Sequence, residues 1–118
     1  MSRAEGTWGE ALAAEYLQKH GYKLAAHGYQ CRFGEIDLIV QDARYIVFVE
    51  VKTRKSDRFG AAREAVDLHK QRRLIATAEQ WLQRNPTNLQ PRFDVVEIYG
   101  EEDLPVRSIE HIENAFDA

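Results

Sequence analysis

The stretch Gly34-Glu-Ile-Asp-Leu-Ile-Val-Gln-Asp-Ala-Arg-Tyr-Ile-Val-Phe-Val-Glu-Val-Lys52 decides the fold of this chain. Its two halves are rich in β-branched and aromatic residues, and a short polar connection joins them. This pattern is typical of an antiparallel hairpin whose strands lie deep in a sheet. We therefore predict strands over residues 34–40 and 45–52.

Charged residues interrupt both predicted strands on one face of the hairpin. Residues two apart in a strand share a face, so Asp37 lies beside Glu35 on the first strand. On the second strand, Lys52 lies beside Glu50. A turn centred on Asp42-Ala43 would place Glu35 opposite Glu50 and Asp37 diagonal to it, about 7–8 Å away at the backbone. All four ionisable groups then project from the same side of the sheet.

Three carboxylates on such apolar strands are energetically costly. Burying an unpaired charge costs several kcal/mol, and neighbouring carboxylates raise one another's pKa. A divalent cation such as Mg²⁺, which takes oxygen ligands, removes both costs. A cross-strand cluster of salt bridges with Lys52 explains the same spacing without a metal, and the spacing alone leaves both interpretations open.

Two predicted helices each direct a polar residue toward the hairpin. The apolar spacing from Gly6 to His20 indicates a helix with Glu10 at the edge of its apolar face. A second helix, from Asp67 to Arg84, carries Gln71 at the centre of its apolar stripe, where an amide needs polar partners. Taken singly, each residue is explained as structural, Gln71 as a core amide and Glu10 as a first-turn carboxylate. Together they converge on the carboxylate face, as the residues of a site do.

The order of elements predicts an α/β fold. Besides the hairpin and the two helices, the predicted elements are a short strand at 22–25, a loop at 27–33, a polar loop at 53–62, a strand at 92–99, and a strand or short helix at 109–116. Helix, hairpin, helix and strand in this order indicate a mixed central β-sheet flanked by helices. We expect a single domain over residues 1–118.

Composition predicts a soluble, cytoplasmic protein. Apolar residues make up 44% and charged residues 30% of the chain, and no segment approaches the roughly 20 apolar residues of a membrane span. The single cysteine, Cys31, excludes an internal disulfide and a metal site built from cysteines. The net charge of -3 argues mildly against nucleic-acid binding, but residues 52–73 are rich in basic side chains. One basic flank can engage phosphates, although it is equally explained as a solvated charged face.

The ordered motifs Glu35-Ile-Asp37, Glu50-Val-Lys52 and Gln71 resemble the PD-(D/E)xK nuclease superfamily. Over nearly its whole length the chain is similar to the YraN-type proteins of the uncharacterised family UPF0102, which are similar to archaeal Holliday-junction resolvases. The stretches that carry this resemblance are Gly6-Thr-Trp-Gly-Glu10, Arg32-Phe-Gly-Glu-Ile-Asp-Leu-Ile39, Val47-Phe-Val-Glu-Val-Lys-Thr-Arg54, Lys70-Gln-Arg72, Arg92-Phe-Asp-Val-Val96 and His111-Ile-Glu-Asn-Ala-Phe116. Ile36 stands where the superfamily name has proline, a departure shared with resolvase-like members.

The resemblance implies a restriction-endonuclease-like core and a metal-dependent endonuclease that hydrolyses phosphodiester bonds. Asp37 and Glu50 would hold Mg²⁺ or Mn²⁺, and Lys52 would orient the attacking water. Glu10 and Gln71 would complete the catalytic set. The resemblance implies DNA as the partner, with branched DNA as one candidate substrate, no membrane, and a homodimer as an open possibility. The residues expected to contact nucleic acid are Arg32, Arg54, Lys55, Arg58 and Lys70.

Two alternatives keep the fold and drop the chemistry. The first is a non-catalytic nucleic-acid-binding module, and the second is a structural or adaptor domain whose carboxylates are relics. A pure binder gains nothing by presenting acid to phosphate, so the carboxylates together with Lys52 favour an enzyme.

Overall fold

The computed structural model describes residues 3–55 and 66–117, without the side chains of residues 3–7. Its elements are α1 (Arg3–Lys19), β1 (Lys23–Cys31), β2 (Gly34–Gln41), β3 (Tyr45–Arg54), α2 (Leu68–Arg84), β4 (Gln90–Tyr99) and β5 (Ser108–Phe116). The strands form one sheet in the order β1-β2-β3-β4-β5, in which β3 and β4 are parallel and the other neighbours are antiparallel. This mixed sheet with two helices is the predicted α/β fold, and it is consistent with a restriction-endonuclease-like core.

Each face of the sheet buries apolar side chains against one helix. On the α1 face, Ala13 and Leu17 of the helix pack with strand residues Leu38, Val40, Val47, Val49, Val96 and Ile98. On the α2 face, Leu74, Ala78 and Trp81 of the helix pack with strand residues Ile36, Ile39, Ile46, Phe48, Phe93 and Val95. Burying each of these larger side chains contributes about 1.5–3 kcal/mol, so both helices are held firmly against the sheet.

α2 begins and ends where the sequence predicts, whereas α1 begins at Arg3 instead of Gly6 and ends at Lys19, one residue before the predicted end. Asp67 caps α2 by accepting a hydrogen bond of 2.8 Å from the backbone N–H of Lys70. At the other end, the backbone N–H of Asn85 donates to the carbonyl of Trp81. After α1, Gly21 has a φ of +95°, a conformation that favours glycine. Neither described helix is long and apolar enough to cross a membrane.

The predicted loop at residues 27–33 is wrong, because strand β1 continues to Cys31. Its pairs with β2 run from Lys23↔Gln41 to Cys31↔Gly34. β1 is one of the two edge strands of the sheet and much of it is exposed, so its polar composition resembles that of a loop. β3 likewise extends through Thr53 to Arg54, into the predicted polar loop. Residues 56–62 of that loop lie outside the described residues.

The predicted register of the β2–β3 hairpin is wrong by two residues. Leu38 pairs with Val49, so Asp37 and not Glu35 comes level with Glu50. The reason lies in the turn. The Asp42 carboxylate accepts hydrogen bonds of 2.8 Å from the backbone N–H groups of residues 44 and 45, which moves the centre of the turn to residues 43–44. A shift of two preserves the face on which each residue lies.

The alternation of side chains along β2 breaks at Asp37. The predicted alternation would place Ile36 and Leu38, two residues apart, on one face, but Ile36 packs with Ile39 on the α2 face and Leu38 packs on the α1 face. Gly28 of β1 lies level with Asp37 and has a φ of +67°, which glycine adopts without strain. Asp37 therefore lies at the point in β2 where the alternation of side chains between the α1 face and the α2 face is interrupted.

Candidate metal centre

An open cavity of about 620 Å³ lies where β2 begins and β3 ends. Both strands, α1 and the first turns of α2 contribute to its walls. Its ionisable lining residues are Glu10, Glu35, Asp37, Glu50, Lys52, Asp67, His69, Lys70 and Arg73. The fold thus brings the hairpin carboxylates together with Glu10, as the sequence predicts.

Three carboxylates in this cavity form a group that could hold a metal ion. Glu10, Glu35 and Asp37 each offer an oxygen, and these oxygens lie within 4.8 Å of one another. Ligands of one Mg²⁺ ion lie about 2.1 Å from it, hence up to about 4.2 Å apart, so a small contraction would let all three bind. Glu10 is 95% buried and Glu35 half-buried, so the group lies in the wall of the cavity. Glu35 is a member that the sequence placed on this face but that we did not predict as a ligand.

Each of these carboxylates lies against a neighbouring group. Nε2 of His27 lies 3.2 Å from Oε1 of Glu10 but is not aligned with it as a hydrogen bond. The side-chain amide of Gln30 donates a hydrogen bond of 2.7 Å to Oε2 of Glu35. Asp37 accepts one of 2.8 Å from the backbone N–H of Val51. Such contacts behind the ligands hold them in place for a metal. The roles of His27 and Gln30 do not follow from the sequence, because the composition of their segment predicts a loop.

The pKa of the Asp37 carboxyl group is raised well above its usual value. Burial is the largest cause and the negative charge of Glu50 the next, and together they raise the pKa of Asp37 to about 8. The hydrogen bond from the backbone of Val51 opposes this rise, while a hydrogen bond to Glu50 and the charge of Glu10 add to it. A bound cation would replace the proton of this carboxyl group.

Glu50 faces two lysines, and we had predicted it as a metal ligand with Asp37. Nζ of Lys52 lies 3.3 Å from Oε2 of Glu50, and Nζ of Lys70 forms an ion pair with the same oxygen. Burial and the neighbouring Lys70 lower the pKa of Lys52. Burial would lower the pKa of Lys70 too, but its contact with Glu50 outweighs burial and raises it. The group that could hold a metal ion thus joins Asp37 to Glu10 and Glu35, and Glu50 interacts with it through its effect on the pKa of Asp37.

Gln71 lies away from the position that the sequence predicts. Its amide nitrogen donates a hydrogen bond of 3.0 Å to the carbonyl of Val66, just before α2. The buried side of α2 is centred on Leu74, Thr77, Ala78 and Trp81. Thr77 donates its hydroxyl hydrogen to the carbonyl of Arg73, 2.8 Å away, so its buried hydroxyl has a hydrogen-bond partner. The buried stripe of α2 is therefore centred on other residues than the predicted stripe, which has Gln71 at its centre. α2 therefore presents Lys70 and Arg73 to the cavity.

Arg54, a predicted nucleic-acid contact, serves the fold. Its Nε lies 3.0 Å from Oε2 of Glu97, a completely buried carboxylate, in an ion pair that is not aligned as a hydrogen bond. The hydroxyl of Tyr99 donates to the other oxygen of Glu97. Removing Arg54 would leave a buried charge without its counter-ion, so its first role is structural.

The other predicted contacts differ in their positions. Lys55 is exposed, with Nζ 3.7 Å from Oε1 of Glu101. Arg32 is exposed in the β1–β2 turn, and its guanidinium lies 4.8 Å from the centre of the Phe33 ring. Arg58 lies outside the described residues.

A second polar cluster lies at Asp94 in β4. This carboxylate is buried and accepts hydrogen bonds from the side chains of Arg92 and His111 and from the backbone N–H of Asn114, all between 2.7 and 2.9 Å. Burial would raise the pKa of Asp94, but these hydrogen bonds outweigh it and hold the pKa below its usual value. The cluster joins β4 to β5 and is fully satisfied, so we interpret it as structural.

Comparison with known proteins gives one consistent result. The chain matches the model of the uncharacterised protein family UPF0102 over residues 9–98. It is 47% identical over 113 residues to a UPF0102 protein of Caldanaerobacter subterraneus subsp. tengcongensis, covering 94% of this chain and 93% of the relative. It is 48% identical over 119 residues to one of Symbiobacterium thermophilum, covering all of both chains, and 46% identical over 115 residues to one of Vibrio parahaemolyticus, covering 96% and 92%.

Proposed function

This chain belongs to the uncharacterised protein family UPF0102, and we propose that it is a metal-dependent endonuclease of the PD-(D/E)xK type. The observation that carries the proposal is the group formed by Glu10, Glu35 and Asp37, in one open cavity with Glu50 and Lys52. Phosphodiester hydrolysis requires an activated water and relief of negative charge in the transition state. The cavity offers residues suited to both needs.

The three carboxylates fit a hard divalent cation. Glu10, Glu35 and Asp37 would hold Mg²⁺ or Mn²⁺, since their oxygens already converge and Asp37 retains a proton that a cation can replace. Such a cation supplies a water of lowered pKa and neutralises charge on the phosphate. Glu50, which lines the same cavity as Asp37, would complete the acidic set.

The basic residues of the cavity have separate roles in this proposal. Lys52 would hold the attacking water and stabilise the charge that develops on the phosphate oxygens. Glu50 positions Lys52, because the two side chains lie 3.3 Å apart. Gln71 has an indirect role: it donates a hydrogen bond to the carbonyl of Val66 and so stabilises the start of α2, which carries Lys70.

Nucleic acid would enter along the cationic side of the cavity. Lys70 and Arg73 line it, and Arg32 lies exposed in the adjacent β1–β2 turn. These side chains would contact phosphates on either side of the bond to be cut, although the chain as a whole is acidic. We propose DNA as the substrate, and branched DNA as the structure to test first.

A cleavage screen tests the proposal. The purified chain is incubated with single-stranded, duplex and branched DNA and with RNA, in Mg²⁺ or Mn²⁺, beside the variants Asp37→Asn and Glu10→Gln. We expect metal-dependent cleavage that both variants lose. The control is Glu15→Gln, which removes an exposed carboxylate from the same helix as Glu10. If the wild type cuts nothing and both variants bind nucleic acid as it does, the non-catalytic binding module is the better interpretation.

A further inference from the structure

The tip of the β1–β2 hairpin places an aromatic ring beside the cavity. Phe33 is 38% exposed, a high value for a large apolar side chain. It directly precedes Gly34, which lines the cavity, and stands two residues before Glu35 of the carboxylate group. Two residues of chain span at most about 7 Å, so the backbone that carries the ring lies within about 7 Å of the backbone of Glu35.

The turn that carries this ring is anchored to α2. Nε of Arg73 donates a hydrogen bond of 3.3 Å to the carbonyl of Phe33, and the backbone N–H of Phe33 donates to Sγ of Cys31 at 3.4 Å. Gly34 has a φ of +152°, and a Cβ there would lie 3.3 Å from Oγ1 of Thr77. These contacts order the turn before any ligand binds, so ligand binding there costs little conformational entropy of the turn.

The surroundings of the ring are cationic. The guanidinium of Arg32 lies over the ring at 4.8 Å from its centre, and Arg73 lies beneath the same turn and lines the cavity. An aromatic ring accompanied by guanidinium groups is the combination that stacks a nucleobase while neutralising its phosphate. An apolar partner protein would bury these guanidinium groups without a counter-charge, which is unfavourable.

We propose that Phe33 stacks on an unpaired base next to the phosphate to be cut, and that the substrate carries unpaired nucleotides at this point. The inference rests on the proposed function and narrows its substrate class. Bases inside an uninterrupted duplex are already stacked on one another, so a surface ring can stack only on a base that has left the helix. Single strands, flaps and branch points supply such bases.

Binding without metal tests this inference separately from catalysis. Fluorescence anisotropy in EDTA compares a single-stranded DNA oligonucleotide with its blunt duplex, for the wild type, Phe33→Ala and Phe33→Trp. We expect Phe33→Ala to weaken single-strand binding about tenfold and to leave duplex binding nearly unchanged. Phe33→Trp should restore binding, because its larger ring also stacks. The control is Leu104→Ala, at a side chain 58% exposed in the connection between β4 and β5.

Several results would overturn the inference. One is unchanged single-strand binding by Phe33→Ala, and another is an equal loss on both substrates. A shift of oligomeric state by Phe33→Ala in size-exclusion chromatography, with binding intact, would instead assign the ring to a second copy of this chain. A wild type that binds no nucleic acid contradicts both proposals. Ring-dependent single-strand binding without any cleavage contradicts only the nuclease.

Discussion

The carboxyl groups of Asp37, on β2, and Glu50, on the neighbouring strand β3, line one cavity and lie close enough to interact electrostatically. Two neighbouring carboxyl groups that are shielded from water cannot both ionise cheaply. Burial, followed by the charge of Glu50, raises the pKa of Asp37 to about 8. Ionising Asp37 at neutral pH without a bound cation is therefore unfavourable.

This relationship predicts how the metal-free protein responds to pH. Asp37 binds its proton more tightly when folded than when unfolded, where its pKa is near 3.8. The free energy of unfolding should therefore fall as pH rises from about 4 to about 8, by at most about 1.4 kcal/mol per pH unit. Asp37→Asn has no such proton to lose, so its advantage over the wild type should grow with pH. Urea unfolding in EDTA at pH 5, 6.5 and 8 measures this, and parallel pH profiles would contradict it.

Metal binding should depend on the group of three carboxylates and not on acidic residues in general. Mn²⁺ or Mg²⁺ at 100 times its dissociation constant should stabilise the wild type by about 2.7 kcal/mol. Glu10→Gln, Glu35→Gln and Asp37→Asn should each lose most of this gain, because each removes one converging oxygen. Thermal unfolding with and without metal measures the effect, with Glu15→Gln as the exposed control. Equal gains in all variants would mean that the cation binds elsewhere.

Gly34 should be required for the approach of the hairpin turn to α2. Its φ of +152°, and the 3.3 Å that would separate an added Cβ from Oγ1 of Thr77, predict that Gly34→Ala destabilises the fold by about 1–3 kcal/mol. Gly21 is a matched control, since its φ of +95° is also unfavourable for alanine but no atom lies within 4 Å of its Cβ position. Gly21→Ala should therefore cost less. Chemical denaturation of the two variants compares them, and an equal loss would show that only the backbone angle matters.

Much of the candidate site could be predicted from the sequence because strand faces follow from spacing. The prediction set the hairpin register wrong by two residues, yet Asp37 and Glu50 still line the same cavity, because a register shift of two does not by itself move a residue to the other face. Glu10 reached the cavity because the helical period is equally robust. These inferences depended on periodicity and were insensitive to local detail.

What could not be predicted depended on single local contacts. The hydrogen bonds of Asp42 decide the centre of the turn, and the alternation of β2 breaks at Asp37, level with Gly28 and its φ of +67°. The hydroxyl of Thr77 donates to a carbonyl of its own helix, so Thr77 can lie on the buried side of α2. In the resulting orientation of α2, Lys70 lines the cavity and Gln71 does not. Each is a matter of one hydrogen bond or one backbone angle, and neither leaves a periodic signal in the sequence.

Lys52→Ala should separate catalysis from binding. The fold should remain intact, because Lys70 still pairs with the same oxygen of Glu50 once the ammonium of Lys52 is gone. The stabilisation by Mn²⁺ should also remain, since Lys52 is no ligand in the proposal. Cleavage under single-turnover conditions should fall about 10²–10³-fold, the loss typical of one donor aimed at a developing charge.

The matched control for Lys52→Ala is Lys19→Ala, which removes a lysine from an exposed pair on α1. It should change neither cleavage nor metal response. If Lys52→Ala loses cleavage and metal stabilisation together, the lysine maintains the carboxylate group and does not act on the phosphate. If it cleaves at the wild-type rate, Lys70 must provide the charge at the phosphate, because its ammonium lies against the same oxygen of Glu50 and lines the same cavity.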